Sequence, residues 1–512
     1  MIKNFKWLLL ISLTFAACNN DDENAAPVEV PITSGTASFA KYVALGDSFA
    51  AGYSDGALFK KGQEGSYVNI LSQQFTLAGG GAFTTPLMVD NTGGFSSGGF
   101  QIPKFPTRLY FNGVGPVNVP GVSGTAITAR LTGSFNNMGV PGAKSYHLIA
   151  PGYGDLAGVF ATPATASPYF SRFSAAPGTT IVKDATDQNP TFFSLWIGGN
   201  DVLGYATSGG DGTDPITPTA TFDFAYNKIV TEMTAKGAKG VVANLPYVNS
   251  LPHFTTVPYN PLTSKVLGGG NVAVGEATIN ALNAQLYGPL KAALTAFSAG
   301  GRINLLSTTG SNPLLIKDES LPNLSAQLTA AFTPSLGAAT ASFYGNVFGQ
   351  ARQATKTDLV ILLTQSAIGV APTATDSGIG IAPPSPLNKF GITFPLQDKH
   401  VLIPTEIADI KVATDAYNVT IKAIADAKGL AFVDTKAIMT QLSSGGIRFG
   451  NYHITAAYVT GGAFSLDGIH PSPRGYALIA NLFSDAINAK FAATLRPVDL
   501  GLYGIQYPAT IQ

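Results

Sequence analysis

Tyr42-Val43-Ala44-Leu45-Gly46-Asp47-Ser48-Phe49 is the stretch from which the fold of this chain can be read. Four apolar residues in a row, stopped by a glycine, predict a short strand buried on both faces. A strand with one wet face would alternate apolar and polar side chains instead. Three more runs repeat the pattern: Phe192 to Ile197 ahead of Gly198-Gly199, Gly240 to Asn244, and Leu430 to Asp434. The last two each follow a stretch of helical character, Phe222 to Lys236 and Pro404 to Lys428. A final helix is expected over Pro473 to Phe491, where Tyr476, Ile479, Phe483 and Ile487 recur at helical spacing. Helix-then-strand units of this kind predict the α/β class, with a parallel central sheet covered by helices on both faces.

Composition sets the limits around that core. Of 512 residues 45% are hydrophobic and 12% charged, which excludes a disordered chain. Thirty basic residues against thirty acidic leave no electrostatic footprint for a nucleic acid, so none is expected as partner. The 57 Gly and 33 Pro follow no fixed period and point to long loops. A weakly charged, loop-rich surface of this kind suits an exported protein. Residues 76–133 and 252–400 read as large insertions around one core. The second is expected to hold a helix at about 276–298 and strand-like segments at Arg302–Leu306 and Leu359–Leu363. A single domain is therefore expected over 39–495, followed by a C-terminal tail, 496–512.

The N-terminus carries an address. Lys3 and Lys6 precede an apolar run from Trp7 to Ala17, too short for the roughly twenty residues that cross a bilayer but suited to a signal peptide, residues 1–17. Phe15-Ala16-Ala17-Cys18 resembles a bacterial lipobox, which implies lipidation of Cys18, the only cysteine, as the first mature residue. Residues 18–38 read as a flexible tether. Its Asp21-Asp22-Glu23 cluster resembles signals that send lipoproteins to the outer face of the outer membrane, and equally suits a solvated linker. The expected location is the outer membrane, on its periplasmic or cell-surface face, held by the N-terminal lipid.

Four short blocks carry chemistry, placed where open parallel sheets put their ligand sites, at the C-terminal ends of strands. They are Gly46-Asp47-Ser48-Phe49, Asn137-Met138-Gly139-Val140-Pro141-Gly142-Ala143, Gly198-Gly199-Asn200-Asp201 and Asp467-Gly468-Ile469-His470-Pro471. Each alone has an ordinary reading as a turn, a strand end or a helix cap. Together they supply a nucleophile, a base, an orienting acid and donors for an oxyanion, which is the inventory of acyl transfer.

In that order the blocks resemble the GDSL/SGNH family of serine hydrolases, over about residues 38–495. Ser48, Gly142, Asn200 and His470 stand at the four initials, and Phe49 replaces the usual Leu. The resemblance implies a three-layer flavodoxin-like fold and an esterase or lipase in which Ser48 attacks, His470 moves the proton and Asp467 orients His470. It implies an oxyanion hole of the Ser48 and Gly142 N–H groups and the Asn200 amide, with no metal or organic cofactor. The departure is length, since the stretch between Asp201 and Asp467 far exceeds what a minimal member needs. That leaves the ester open: the apolar insertions could shield an acyl-chain groove, while the aromatic residues could stack on sugar rings. The rival from another class is a non-catalytic surface-binding lipoprotein on the same fold.

Other candidates are weaker. Gly52-Tyr53-Ser54-Asp55-Gly56 matches the nucleophile elbow of α/β-hydrolases, but it does not directly follow a strand. His147, His253, His400 and His453 show no ligand spacing, though His453 is a possible cleft residue. Asp211-Gly212-Thr213-Asp214 lacks the later glutamate of a calcium loop. Trp196 is expected in the core.

Overall fold

The structure is a computed structural model and describes residues 31–511, so the signal peptide, Cys18 and most of the tether lie outside the described residues. Its central sheet has five strands: β1 (Tyr42–Gly46), β2 (Asn137–Gly139), β3 (Phe192–Trp196), β4 (Lys239–Ala243) and β5 (Ala431–Val433). All pairings are parallel and the spatial order is β2-β1-β3-β4-β5. Every residue of β1 and β3 is buried, which is why both are apolar runs, broken in β3 only by Ser194, whose hydroxyl pairs with the Tyr42 hydroxyl at 2.7 Å.

Chain progression runs outward from β1 to β2 on one side and to β3, β4 and β5 on the other. The switch point therefore falls between β1 and β3, where the loops at the C-terminal strand ends diverge and leave a crevice. Six helices matter to that crevice: α1 (Ser48–Ala51), α2 (Tyr67–Leu77), α3 (Asn200–Thr207), α4 (Thr219–Thr234), α5 (Pro404–Ala427) and α6 (Pro473–Phe491). α2 packs on α6, and α4 packs on α5. α6 starts where the sequence says it should. The Ser472 hydroxyl accepts from Gly475 N–H at 3.0 Å, and Pro473, which has no N–H to satisfy, takes the first position. Tyr476, Leu478, Phe483 and Ile487 then form its buried stripe.

The insertions differ in kind. Residues 76–133 begin with the last two residues of α2 and then contain only two small hairpins, Ser96–Gln101 and Leu109–Asn118, among loops. Most of 252–400, by contrast, gathers around a hydrophobic cluster of its own that runs from Val257 to Ile403. The helix expected near 276–298 is Val272–Leu282 continued through a π turn at Asn283–Tyr287 into Gly288–Ala296. Ser325–Leu336 and Ala338–Phe348 are two further helices that the sequence pattern did not single out.

Arg302–Leu306 is not a strand. Its backbone is satisfied by side chains: Asn304 N–H donates to Gln353 Oε1 at 2.9 Å and Leu306 N–H to Asn283 Oδ1 at 2.8 Å. Those amides leave no ladder for a partner strand. Of Leu359–Leu363 only Leu359–Val360 pairs, with Val401–Leu402, before the chain turns into a 3-10 helix.

Both ends of the described chain are docked. Thr36 N–H donates to Phe491 O at 2.8 Å, and Ala37 and Phe39 are buried, so the last residues of the stretch read as tether belong to the domain. At the other end Leu500 and Tyr507 are buried, and the Arg108 guanidinium donates to the Pro508 and Ala509 carbonyls at 2.7 and 2.8 Å.

Candidate active site

The crevice at the switch point is where the four blocks meet. Gly46 of β1 lies in register with Gly139 of β2 and with Trp196 of β3, so the loops leaving three adjacent strands start side by side. After β1 the chain turns at once into α1, capped by Asp47, whose carboxylate accepts from Phe49 N–H at 3.0 Å. Ser48 is the first residue of that short helix. The turn closes tightly against β2, for a Cβ on Gly139 would stand 2.3 Å from Ala51 N, so only glycine fits.

Ser48 Oγ lies 2.9 Å from His470 Nε2, and His470 Nδ1 lies 2.8 Å from Asp467 Oδ2. All three side chains are almost fully enclosed, and the imidazole sits beside the Phe49 and Tyr53 rings at 5.5 and 4.6 Å. The Asp467 carboxylate is the best-satisfied acid of the site. It accepts from Gly56 N–H on one oxygen, and from Ser465 Oγ and the Ile469 and His470 N–H groups on the other, at 2.9–3.1 Å. Burial alone would raise its pKa, but the facing His470 and these donors hold it well below the usual carboxylate range. It is therefore ionised and fixed. With the carboxylate accepting from Nδ1–H, Nε2 is left with its lone pair toward Ser48, the tautomer in which it can take the hydroxyl proton.

The loops after β2 and β3 carry the candidate donors. Gly142 has a φ of +77°, a conformation that favours glycine, with open space where a side chain would project. Among the described residues, neither the Ser48 nor the Gly142 N–H donates to a protein oxygen. The Asn200 amide gives one hydrogen to Ala143 O at 3.0 Å, which leaves the second for a ligand. Asp201, fully buried, ties the same loop down by accepting from Ser145 N–H and Ser145 Oγ at 2.8 and 2.7 Å. A buried serine with a base behind it and unused donors around it can carry out nucleophilic attack on a carbonyl.

Three residues to which the sequence assigned no part in the site support it. Asp55 sits in a left-handed turn (φ +51°), accepts from Leu466 N–H at 2.9 Å and donates its own N–H to Ser465 Oγ at 3.0 Å, bracing the Asp467 loop. Burial lifts its pKa to about 7, and its second oxygen has no partner. Asp47 is likewise pushed up by burial, to about 6. His253 lies under the same loop, with its N–H on Gly468 O at 2.9 Å and its Nδ1 3.1 Å from Asp467 O; burial lowers its pKa. Asp55 was visible only as part of the Gly-x-Ser-x-Gly match. Nothing local in the sequence marks His253.

The rival nucleophile is spent. Ser54 is fully buried and its hydroxyl donates to Pro471 O at 3.0 Å. Of the remaining histidines, His147 stacks on Tyr153 at 4.2 Å, close in sequence to Gly142. His400 packs on Phe390 within the insertion, and His453 lies on the exposed hairpin Ile447–Ile454 with Nε2 2.8 Å from Gly445 O. In the Asp211–Asp214 segment, Asp211 holds Thr213 and Asp214 pairs with Lys144 at 2.6 Å. Trp196 is 7% exposed and belongs to the main core. Cys18 lies outside the described residues. Comparison of the chain with family models, with curated proteins and with solved structures gave no match.

Proposed function

We propose that this chain is a serine esterase of the GDSL/SGNH type, cleaving carboxylic esters through an acyl-enzyme. The observation that carries the reading is the unbroken line Asp467–His470–Ser48, at 2.8 and 2.9 Å, ending on a serine at the first turn after β1. The 2-1-3-4-5 strand order, with this site at its switch point, supports the three-layer flavodoxin-like fold that the resemblance implies.

In this reading Ser48 Oγ attacks the ester carbonyl while its proton passes to His470 Nε2. Asp467 holds the imidazole in place and stabilises the imidazolium that forms. The carbonyl oxygen, now negative, takes the Ser48 and Gly142 N–H groups and the free Asn200 hydrogen. His470 returns its proton to the departing alkoxide, and water repeats the sequence on the acyl-enzyme to release acid. Cys18 is proposed as the lipidated anchor to the outer membrane, on the strength of its sequence context; no helix among the described residues is long and apolar enough to cross a membrane.

The test is hydrolysis of p-nitrophenyl acetate by wild type, Ser48→Ala and Ser54→Ala. Activity that is lost only in Ser48→Ala supports the reading. Activity that survives in Ser48→Ala removes it, and a wild type inert to every ester offered points to the binding lipoprotein instead.

A further inference from the structure

Next to the Ser48 turn lies an apolar cleft of about 600 Å³, its open mouth included, between the ends of β3 and β5 and α6. Its position ties it to the chemistry. Phe49, the residue after Ser48, and Pro471, the residue after His470, both belong to its wall. The Phe49 ring touches both the cleft and the base, 4.8 Å from the Trp196 ring and 5.5 Å from the imidazole. At the far end Ile438, Ile479 and Leu482 are half-buried, between the helix Thr435–Ser444 and α6.

The lining presents only carbon. Its two side-chain groups able to donate a hydrogen bond, the Thr435 hydroxyl and the Trp196 indole N–H, are both spent on the same main-chain oxygen, Asn244 O. A sugar or a charged headgroup placed there would lose its hydrogen bonds to water and gain none. A methylene chain loses nothing and leaves water. No residue of either large insertion lines the cleft; it is made by the ends of β3 and β5, the loops beside them, the helix after β5 and α6. The sequence left open an acyl groove under the insertions, and the structure puts the apolar space elsewhere.

We infer that this cleft takes the hydrocarbon chain of the ester, so that the enzyme selects substrates with a chain of several carbons over acetates. The inference rests on the esterase reading above and adds to it the class of substrate. Each methylene buried in the cleft is worth about fourfold in kcat/KM until the space is filled.

The experiment compares p-nitrophenyl acetate, butyrate and octanoate, whose chain is on the acyl side, with octyl acetate, whose chain is on the alcohol side. It uses wild type, Ile479→Trp and Ile438→Trp, two rings introduced from different helices, with thermal unfolding as the check that each variant folds. Wild type is expected to favour one eight-carbon series over acetate by at least tenfold. Each Trp variant is expected to reduce that ratio at least tenfold, and the series affected shows whether acyl or alkyl chain occupies the cleft. If wild type hydrolyses esters but shows no chain-length preference, or if a folded Trp variant keeps the wild-type ratio, the cleft is not the chain site and the esterase reading stands. If wild type hydrolyses no ester of either series, the esterase reading falls and this one with it.

Discussion

Replacing Asp467 by asparagine changes one atom and should disable the site without unfolding it. Three donors converge on Oδ1 (Ser465 Oγ, Ile469 N–H and His470 N–H) and two on Oδ2 (Gly56 N–H and His470 Nδ1). The amide keeps its oxygen where three donors meet, so its NH₂ faces Gly56 N–H and His470. Gly56 N–H then meets a donor, which costs about 1–3 kcal/mol of stability. His470 Nδ1 must accept, which moves the ring proton to Nε2 and removes the lone pair that takes the Ser48 proton. The same exchange in a Ser-His-Asp triad of another fold lowers kcat by about 10⁴, equivalent to about 5.5 kcal/mol of transition-state stabilisation. The assay is steady-state hydrolysis of p-nitrophenyl butyrate beside a thermal melt. A folded Asp467→Asn protein with kcat within tenfold of wild type would refute the assignment of Asp467 as the orienting acid.

Three other substitutions test separate parts of the site. Asn200→Ala removes one oxyanion donor and should lower kcat by about 10² to 10³ with little change in KM, measured on the same ester. Gly139→Ala places a Cβ 2.3 Å from Ala51 N and forces α1 away from β2; loss of activity and a lower melting temperature are expected, and unchanged values would show that the approach is looser. Asp55 is protonated in the folded protein up to about pH 7 but ionises near pH 4 when unfolded. The unfolded state therefore holds fewer protons between those values, and stability falls as pH rises across that window, by about 4 kcal/mol at most. Melting temperatures from pH 4 to 8 should fall more steeply for wild type than for Asp55→Asn; parallel curves would exclude this group as the cause.

The elements legible in sequence were those whose burial is uniform. β1 and β3 read as strands because both faces are covered, and α6 because Ser472 and Pro473 mark its start and its apolar stripe is regular. Arg302–Leu306 misled for a physical reason: Ile303, Leu305 and Leu306 are apolar as in a strand, but Ile303 and Leu306 are buried and Leu305 exposed, which breaks the two-residue alternation, and the hydrogen bonds go to Asn283 and Gln353 far away in sequence. The Ser48, His470 and Asp467 trio was visible because each member sits in a short block with its own turn chemistry. Asp55 and His253 were not, since they act by reaching the Asp467 loop from distant chain segments. The second core in the 252–400 insertion was hidden for the same reason, being built of contacts between weakly patterned helices.

The most direct measurement of the central claim is covalent capture of the nucleophile. Wild-type protein treated with a fluorophosphonate should gain one adduct by intact mass, mapped to the peptide containing Ser48, with loss of ester hydrolysis in step with labelling. Ser48→Ala should gain none. An adduct on another serine, or full labelling that leaves hydrolysis untouched, would contradict the account.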